Sequence, residues 1–433
     1  MRRKICTALI CMSVMLTACA SSAPSESSAV SSSSAETSES TETSDTSETT
    51  LPPYLEHDYV PEGDGYFSLF DEGYGTRIKA QIGGTCWAYA CSTSLESNYK
   101  ITTGEDIFID PITIVSEVYG RDKEEGFFLG QGVSRLNAGG NGYQVVFAVA
   151  DGLEGYYLSN ADALDSEDME TIKQNIREHG AVYAGVPDDS AAKGYFDNYI
   201  TLNDNPDVDP DFEQDHAVVL VGWDDNFPSE YFTFQPSSNG AWLAQNSMGG
   251  TSLYWISYES PLDEVVSFEV TDAYSDAASY DCGFFDSVNT GDSTTVANVF
   301  HHPGMLAAVG VYTASDNETV TVEILDGEFG ETLSTVSGTF EHRGFHVLTL
   351  PEYIDVEDYT IAAAFNGDAA VESIGMEDDE WGVSAITVSH EGESFIRVNG
   401  EWHDMSLEAT ADMLGAEGLL NNCCLKGFYV TTQ

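Results

Sequence analysis

The stretch Gln81-Ile-Gly-Gly-Thr-Cys-Trp-Ala-Tyr-Ala constrains this chain more than any other. A cysteine just after a glycine pair, followed by an amphipathic run, predicts a thiol at the N-terminus of a helix. Trp87, Ala90, Cys91, Ser94, Leu95 and Asn98 recur at helical spacing and predict one small, mostly apolar face for core packing. A thiol at that position feels unpaired backbone N–H groups and the positive end of the helix dipole. Both favour the thiolate, which is the nucleophilic form. Such a thiol needs a base and an orienter from elsewhere in the chain. The candidates are His216, in Asp-His-Ala-Val-Val-Leu-Val-Gly-Trp, and Asn246, in Ala-Trp-Leu-Ala-Gln-Asn-Ser-Met-Gly-Gly.

The N-terminus predicts export. Arg2, Arg3 and Lys4 precede an apolar run, Ile5 to Met15, that is too short to span a bilayer as a mature helix. Leu16-Thr17-Ala18-Cys19 then resembles a bacterial lipobox, with residues 1–18 as the signal and Cys19 as the lipidated residue. The alternative is an ordinary signal peptide cut near Ala18 or Ala20. Residues 20–50 are mostly Ser, Thr and Glu without Lys or Arg, so 19–50 reads as a lipidated, disordered tether. The expected location is the bacterial cell surface, extracytoplasmic, with membrane contact through the N-terminal lipid alone.

Acidic residues number 73 against 15 basic ones, for a formal net charge of −58. Such a surface repels phosphate backbones, and nucleic acid is not an expected partner. Cysteine use is sparse after the leader: Cys86, Cys91, Cys282, Cys423 and Cys424. That is no disulfide scaffold. Cys282 paired with Cys423 or Cys424, or free buried thiols, are both open.

The chain beyond the tether is too long for one hydrophobic core and predicts two domains. Residues 51–265 mix patterns: a helix over Ile172–His179 closed by Gly180, then strands at 181–186, 217–221 and 253–258. Helices come early and strands late, which defines an α+β domain. From 266 to 433 short strand-like runs succeed one another with Gly, Asp and Asn between them. They fall at 305–312, 319–325, 332–340, 345–350, 359–365, 394–398 and 425–430, the spacing of an all-β sandwich.

Attack on an amide carbonyl needs a nucleophile, a proton carrier and donors for the oxyanion. Cys86 and His216 suit a thiolate–imidazolium pair, and the side-chain oxygen of Asn246 can fix the imidazole ring. Gln81 and the backbone N–H of Cys86 supply oxyanion donors. Singly each residue has a plainer reading as buried hydrophobe, core histidine or turn residue. Their order and contexts together carry the argument.

These three segments resemble the signature blocks of papain-like cysteine peptidases. The resemblance implies a two-lobed peptidase domain with Cys86 as nucleophile, His216 as general base and acid, Asn246 as orienter and Gln81 as oxyanion donor. Gly139-Gly140 is similar to the glycine pair that lines the family's substrate cleft. The region containing Ala297-Asn-Val-Phe-His and Gly344-Phe-His-Val-Leu-Thr-Leu is similar to the lectin-like β-sandwich appended to some bacterial members. The chain departs from the pattern in three places. Met248 stands where the family has Trp, Gly83 replaces a cysteine that the family often bridges, and the Gln81–Cys86 spacing is one residue shorter.

The expected function is an endopeptidase that hydrolyses peptide bonds through a thioester on Cys86. The alternatives are an inert surface adhesion or scaffold protein, and acyl transfer on the same thiol. A protein or peptide is the expected substrate, with a carbohydrate or cell-wall component as a candidate partner of the second domain. No cofactor is expected. The acidic run from Asp204 to Asp215 reads as a solvated loop rather than a metal site, because Phe212 occupies the place of an EF-hand's turn glycine. Asp215 is placed to raise the pKa of His216. The segment before Gln81 is too short for a long inhibitory prosegment, so activity is expected on emergence or after trimming near residues 51–75.

Overall fold

The computed structural model describes residues 61–431 apart from 62, 64, 121–124, 189, 197–198, 204–215, 248–251, 283–284, 292, 373–382 and 417–420. The leader, Cys19, the tether, the acidic run through Asp215 and Met248 lie outside the described residues.

The helix expected at Cys86 forms over Cys86–Thr103 (α1) and ends at Gly104, whose φ of 79° closes it in the left-handed region. It is not half-buried, as its amphipathic pattern predicts. Every residue from Cys86 to Tyr99 is buried, because α1 packs against both His216–Asp224 and Asp263–Thr271 as well as neighbouring helices. Its polar residues are buried because each meets a partner. Ser97 Oγ accepts the Ala181 N–H at 3.0 Å, and Asn98 donates to the His179 carbonyl at 2.9 Å while accepting the Val270 N–H at 2.9 Å. Glu96 forms a 2.8 Å ion pair with Lys79, both side chains almost fully buried. Small hydroxyl residues thus let a helix thread the core while satisfying strand ends.

Three more helices surround it. Asp110 caps Pro111–Val118 (α2), Asn141 and Gln144 form a capping box on Gly142–Ala150 (α3), and Asp168 caps Met169–His179 (α4). The strand His216–Asp224, buried throughout, pairs antiparallel with Val182–Val186 and Ala241–Gln245, and the latter pairs with Leu253–Ser257. The expected boundary at 265/266 falls inside Asp263–Thr271, which pairs with Tyr157–Ala163 and with Val182–Val186.

The C-terminal part is a β-sandwich. Two long strands, Thr294–Thr313 and Gly344–Phe365, pair along most of their length with register breaks near Gly304 and Ala308. The runs expected at 305–312, 345–350 and 359–365 are pieces of these strands. Thr332–Phe340, Ser394–Val398 and Leu425–Val430 form at the expected bounds. One further helix, Glu408–Leu414 (α5), lies near the C-terminus. None of the five described cysteines forms a disulfide, so the free-thiol alternative holds and the Cys282 pairing does not. Among the described residues no helix is long and apolar enough to cross a membrane.

The two parts share a continuous seam. Asn160–Asp162 pairs antiparallel with Gly344–His346, and Phe147 of α3 stacks on Tyr312 at 5.2 Å. Beneath it Lys426 Nζ lies 2.8 Å from Asp281 and 2.8 Å from Asp151, with the Lys426 and Asp281 side chains 0% exposed.

Candidate active site

Cys86 is the first residue of α1 and is 2% exposed. The preceding Thr85 makes no side-chain cap, spending its hydroxyl on the Ile82 carbonyl at 2.9 Å, and no acidic residue occupies the first turn. The helix therefore presents its positive end at the thiol without a competing carboxylate. Gly83, with φ of 69°, shapes the approach. A Cβ there would lie 2.3 Å from the Leu136 carbonyl oxygen, so no cysteine fits on this backbone.

His216 starts its strand opposite Val186, and Asn246 follows the end of Ala241–Gln245 on the neighbouring strand. This register brings His216 Nε2 to 2.7 Å from Asn246 Oδ1, with both residues 2% exposed. The Asn246 oxygen also accepts the Ser247 N–H at 2.7 Å, which fixes the amide plane. His216 hydrogen-bonds Cys86 as well. Burial opposes charge on the ring, but the bond and charge of Cys86, the charge of Asp188 and the Asn246 bond outweigh it and push His216 up to about 9. An imidazolium held at neutral pH between a thiol and an amide oxygen suits acyl chemistry on sulfur. The neighbouring thiol differs: burial, with Glu264 and Cys86 adding to it, raises Cys91 well above the ordinary thiol range, so it stays protonated.

Gln81 is tied to the residue after Asn246. Its backbone N–H donates to the Ser247 carbonyl at 2.6 Å, its Oε1 accepts the Ser247 hydroxyl at 2.8 Å, and its Nε2 donates to the Gly83 carbonyl at 2.8 Å. Gly139 and Gly140 have φ of 74° and 150°. A Cβ on Gly140 would lie 2.4 Å from the Trp87 ring, so the glycine pair packs against the residue next to the thiol.

Two acidic residues near the site escape sequence reasoning. Asp188, in a 2.6 Å ion pair with Lys193, contributes to the His216 shift expected of Asp215. Its one sequence signal is its place just past the strand that pairs with His216. Glu264 is half-buried beside the glycine segment, its carboxylate accepting from the Gly142 N–H and from the Tyr183 hydroxyl at 3.5 Å; desolvation first and Asp263 second push it up to about 8. Nothing in the sequence marks it. Among the described residues no group of His, Cys, Asp and Glu could hold a metal ion.

An α+β two-lobed domain built on a buried helix that opens at Cys86, followed by a β-sandwich, is the papain-like peptidase fold with an appended lectin-like domain. Residues 279–428 match the family model described as "Lectin like domain". Among solved structures the chain is similar to the Clostridial cysteine protease Cwp84 after propeptide cleavage, with a TM-score of 0.69 at 19% identity, covering 84% of this chain and 99% of that one. A second structure holds the cysteine protease and lectin-like domains of Cwp84, described as a surface-layer-associated protein of Clostridium difficile. It matches with a TM-score of 0.68 at 19% identity, covering 86% of this chain and 90% of that one. A search of the curated proteins finds no match.

Proposed function

We propose that the chain is an extracytoplasmic cysteine endopeptidase in which Cys86, His216, Asn246 and Gln81 do the chemistry. The observation that carries this reading is that His216 bonds both the helix-terminal thiol of Cys86 and the amide of Asn246, whose Oδ1 lies 2.7 Å from His216 Nε2. The Cys86 thiolate attacks the scissile carbonyl carbon, and the oxyanion takes the backbone N–H of Cys86 and the second N–H of the Gln81 amide. The His216 imidazolium gives its proton to the departing amine, leaving a thioester on Cys86. Neutral His216 then takes a proton from water, whose oxygen attacks the thioester and releases the acid. Asn246 keeps the ring aligned through both steps, and Gly139-Gly140 offer backbone to an extended peptide.

The peptidase unit occupies the chain from residue 51 to the strand Asp263–Thr271, and the lectin-like unit comes after it. Cys19 carries the lipid, and the likeness to a surface-layer-associated protein supports placement at the cell surface. Cys86→Ala is expected to abolish cleavage of a denatured protein substrate while leaving the circular dichroism spectrum and melting temperature unchanged. Full residual cleavage would sink the assignment. Product analysis with an added amine separates hydrolysis from transfer, and free acid is expected as the main product.

A further inference from the structure

Asn246 holds the imidazole with only one end of its amide. Its Oδ1 takes the His216 ring at 2.7 Å and the Ser247 N–H at 2.7 Å. Its Nδ2 is buried and closes no hydrogen bond of ordinary geometry among the described residues. That second end matters, because an asparagine amide is nearly symmetric in shape. A flip about its last torsion sets N–H against the imidazolium N–H, donor against donor. Whatever holds the nitrogen end therefore also decides whether the oxygen stays on the ring.

The sheet places a side chain there. Leu253–Ser257 pairs antiparallel with Ala241–Gln245, with Ala244 opposite Tyr254, and the Asn246 N–H continues the ladder to the Ser252 carbonyl at 2.8 Å. Asn246 and Tyr254 thus project from the same face of adjacent strands as diagonal neighbours, a spacing that an aromatic side chain spans. Tyr254 is 1% exposed, and its hydroxyl is the group that the Asn246 amide approaches.

The surroundings suit this hydroxyl to accept from the amide. Burial first, and the Asp188 charge after it, keep it protonated far above the ordinary tyrosine range. Asp188 lies two residues past Val186, which faces His216 across the strand pair. Its carboxylate draws the hydroxyl proton toward itself and leaves the oxygen lone pairs to the Asn246 nitrogen. Lys193 anchors that carboxylate, with Nζ 2.6 Å from Asp188 and 5.8 Å from the centre of the Tyr254 ring. Tyr195 is the other titratable group acting on the hydroxyl, and Cys86 and Asp188 are those acting on His216.

We propose, on the assignment of Cys86, His216 and Asn246 made above, that Tyr254 is a positioning residue for the thiol chemistry. Its hydroxyl accepts from the Asn246 amide nitrogen, keeps Oδ1 on His216 and so holds the imidazolium beside Cys86.

The test is the rate at which an epoxysuccinyl inhibitor labels Cys86 across pH, measured on the full chain. The thiolate sulfur bonds to an epoxide carbon, the C–O bond breaks, and the alkoxide takes the imidazolium proton. The rate therefore falls as His216 loses its proton, and labelling needs the ion pair but no peptide turnover. Tyr254→Phe keeps the ring and its packing and removes the hydroxyl alone. It is expected to lower the maximal labelling rate about threefold to tenfold and to move the alkaline limb to lower pH, with the melting temperature unchanged. In an Asn246→Ala background the same substitution is expected to change neither rate nor limb, because the group it acts through is gone. A loss caused by misfolding would persist in that background. An unmoved limb in Tyr254→Phe, or losses that multiply in the double variant, overturns the proposal and leaves the thiol assignment standing. Failure of the parent chain to label at Cys86 overturns the thiol assignment and this proposal with it.

Discussion

His216 sets the pH range over which the proposed ion pair with Cys86 persists. Its pKa of about 9 means that the imidazolium survives neutral pH and is lost as pH rises through about 9. The alkaline limb of kcat/KM is therefore expected near that value, with activity falling above it. Asn246 is one of the groups that raise the His216 pKa, and it also holds the ring at 2.7 Å. Asn246→Ala is expected to lower kcat/KM by about 10- to 100-fold and to move the alkaline limb to lower pH, as pH–rate profiles of both proteins would show. An unmoved limb would mean that Asn246 does not act through the ring. That the segments of Cys86, His216, Asn246 and Gln81 meet in space was legible in the sequence, because each has its own short pattern. Asp188 and Glu264 were not, because their influence comes from strand pairing and burial across long stretches of chain. The reason for Gly83 was hidden too, since only the fold reveals the Leu136 carbonyl it must clear.

Among the elements, α1 organises the peptidase domain. Its periodic apolar positions identified it as a helix but predicted a single buried face. Ser94 and Asn98 fall on that face, but Ser92 and Ser97 lie off it and read as polar surface until their partners on other elements are known. The Lys79–Glu96 pair belongs to the same logic. Burial raises Glu96, and Lys79 and the Ile109 N–H only partly offset it. Replacing Glu96 leaves a buried ammonium without its countercharge. Glu96→Ala is expected to cost about 3–5 kcal/mol in urea denaturation, whereas Lys79→Met with Glu96→Leu together should cost far less. A double variant as unstable as the single one would show that packing, not charge, dominates there. In the sandwich the alternating runs located the strands well. Their fusion into two long strands was not legible, because Pro303 and Pro351 look like strand ends and the pairing that carries the chain past them is non-local.

For the molecule as a whole, the seam decides whether two domains behave as one. Backbone pairing at Asn160–Asp162, the Phe147–Tyr312 stack and the buried Lys426 between Asp281 and Asp151 all cross or underlie it. Lys426→Met removes the cation and strands Asp281 in a dry site, at an expected cost of about 3–5 kcal/mol. Calorimetry should then resolve two unfolding transitions where the parent shows one. A single unshifted transition would mean that the ion cluster does not couple the domains. Two domains and their classes were readable from composition and strand spacing, but Lys426 gave no sign in the sequence of joining them.

Of the five described thiols, Cys86 alone is expected to be an ion-paired nucleophile. Cys91, Cys423 and Cys424 are buried, and burial raises all three thiols above the ordinary range. Burial and the nearby Glu372 do the same to the partly exposed Cys282. Labelling the native protein with an epoxysuccinyl thiol inhibitor, followed by peptide mapping, separates them directly. One label per chain is expected, on Cys86 alone, and it should vanish in His216→Ala. Absence of label on Cys86, or equal labelling with and without His216, would contradict the account.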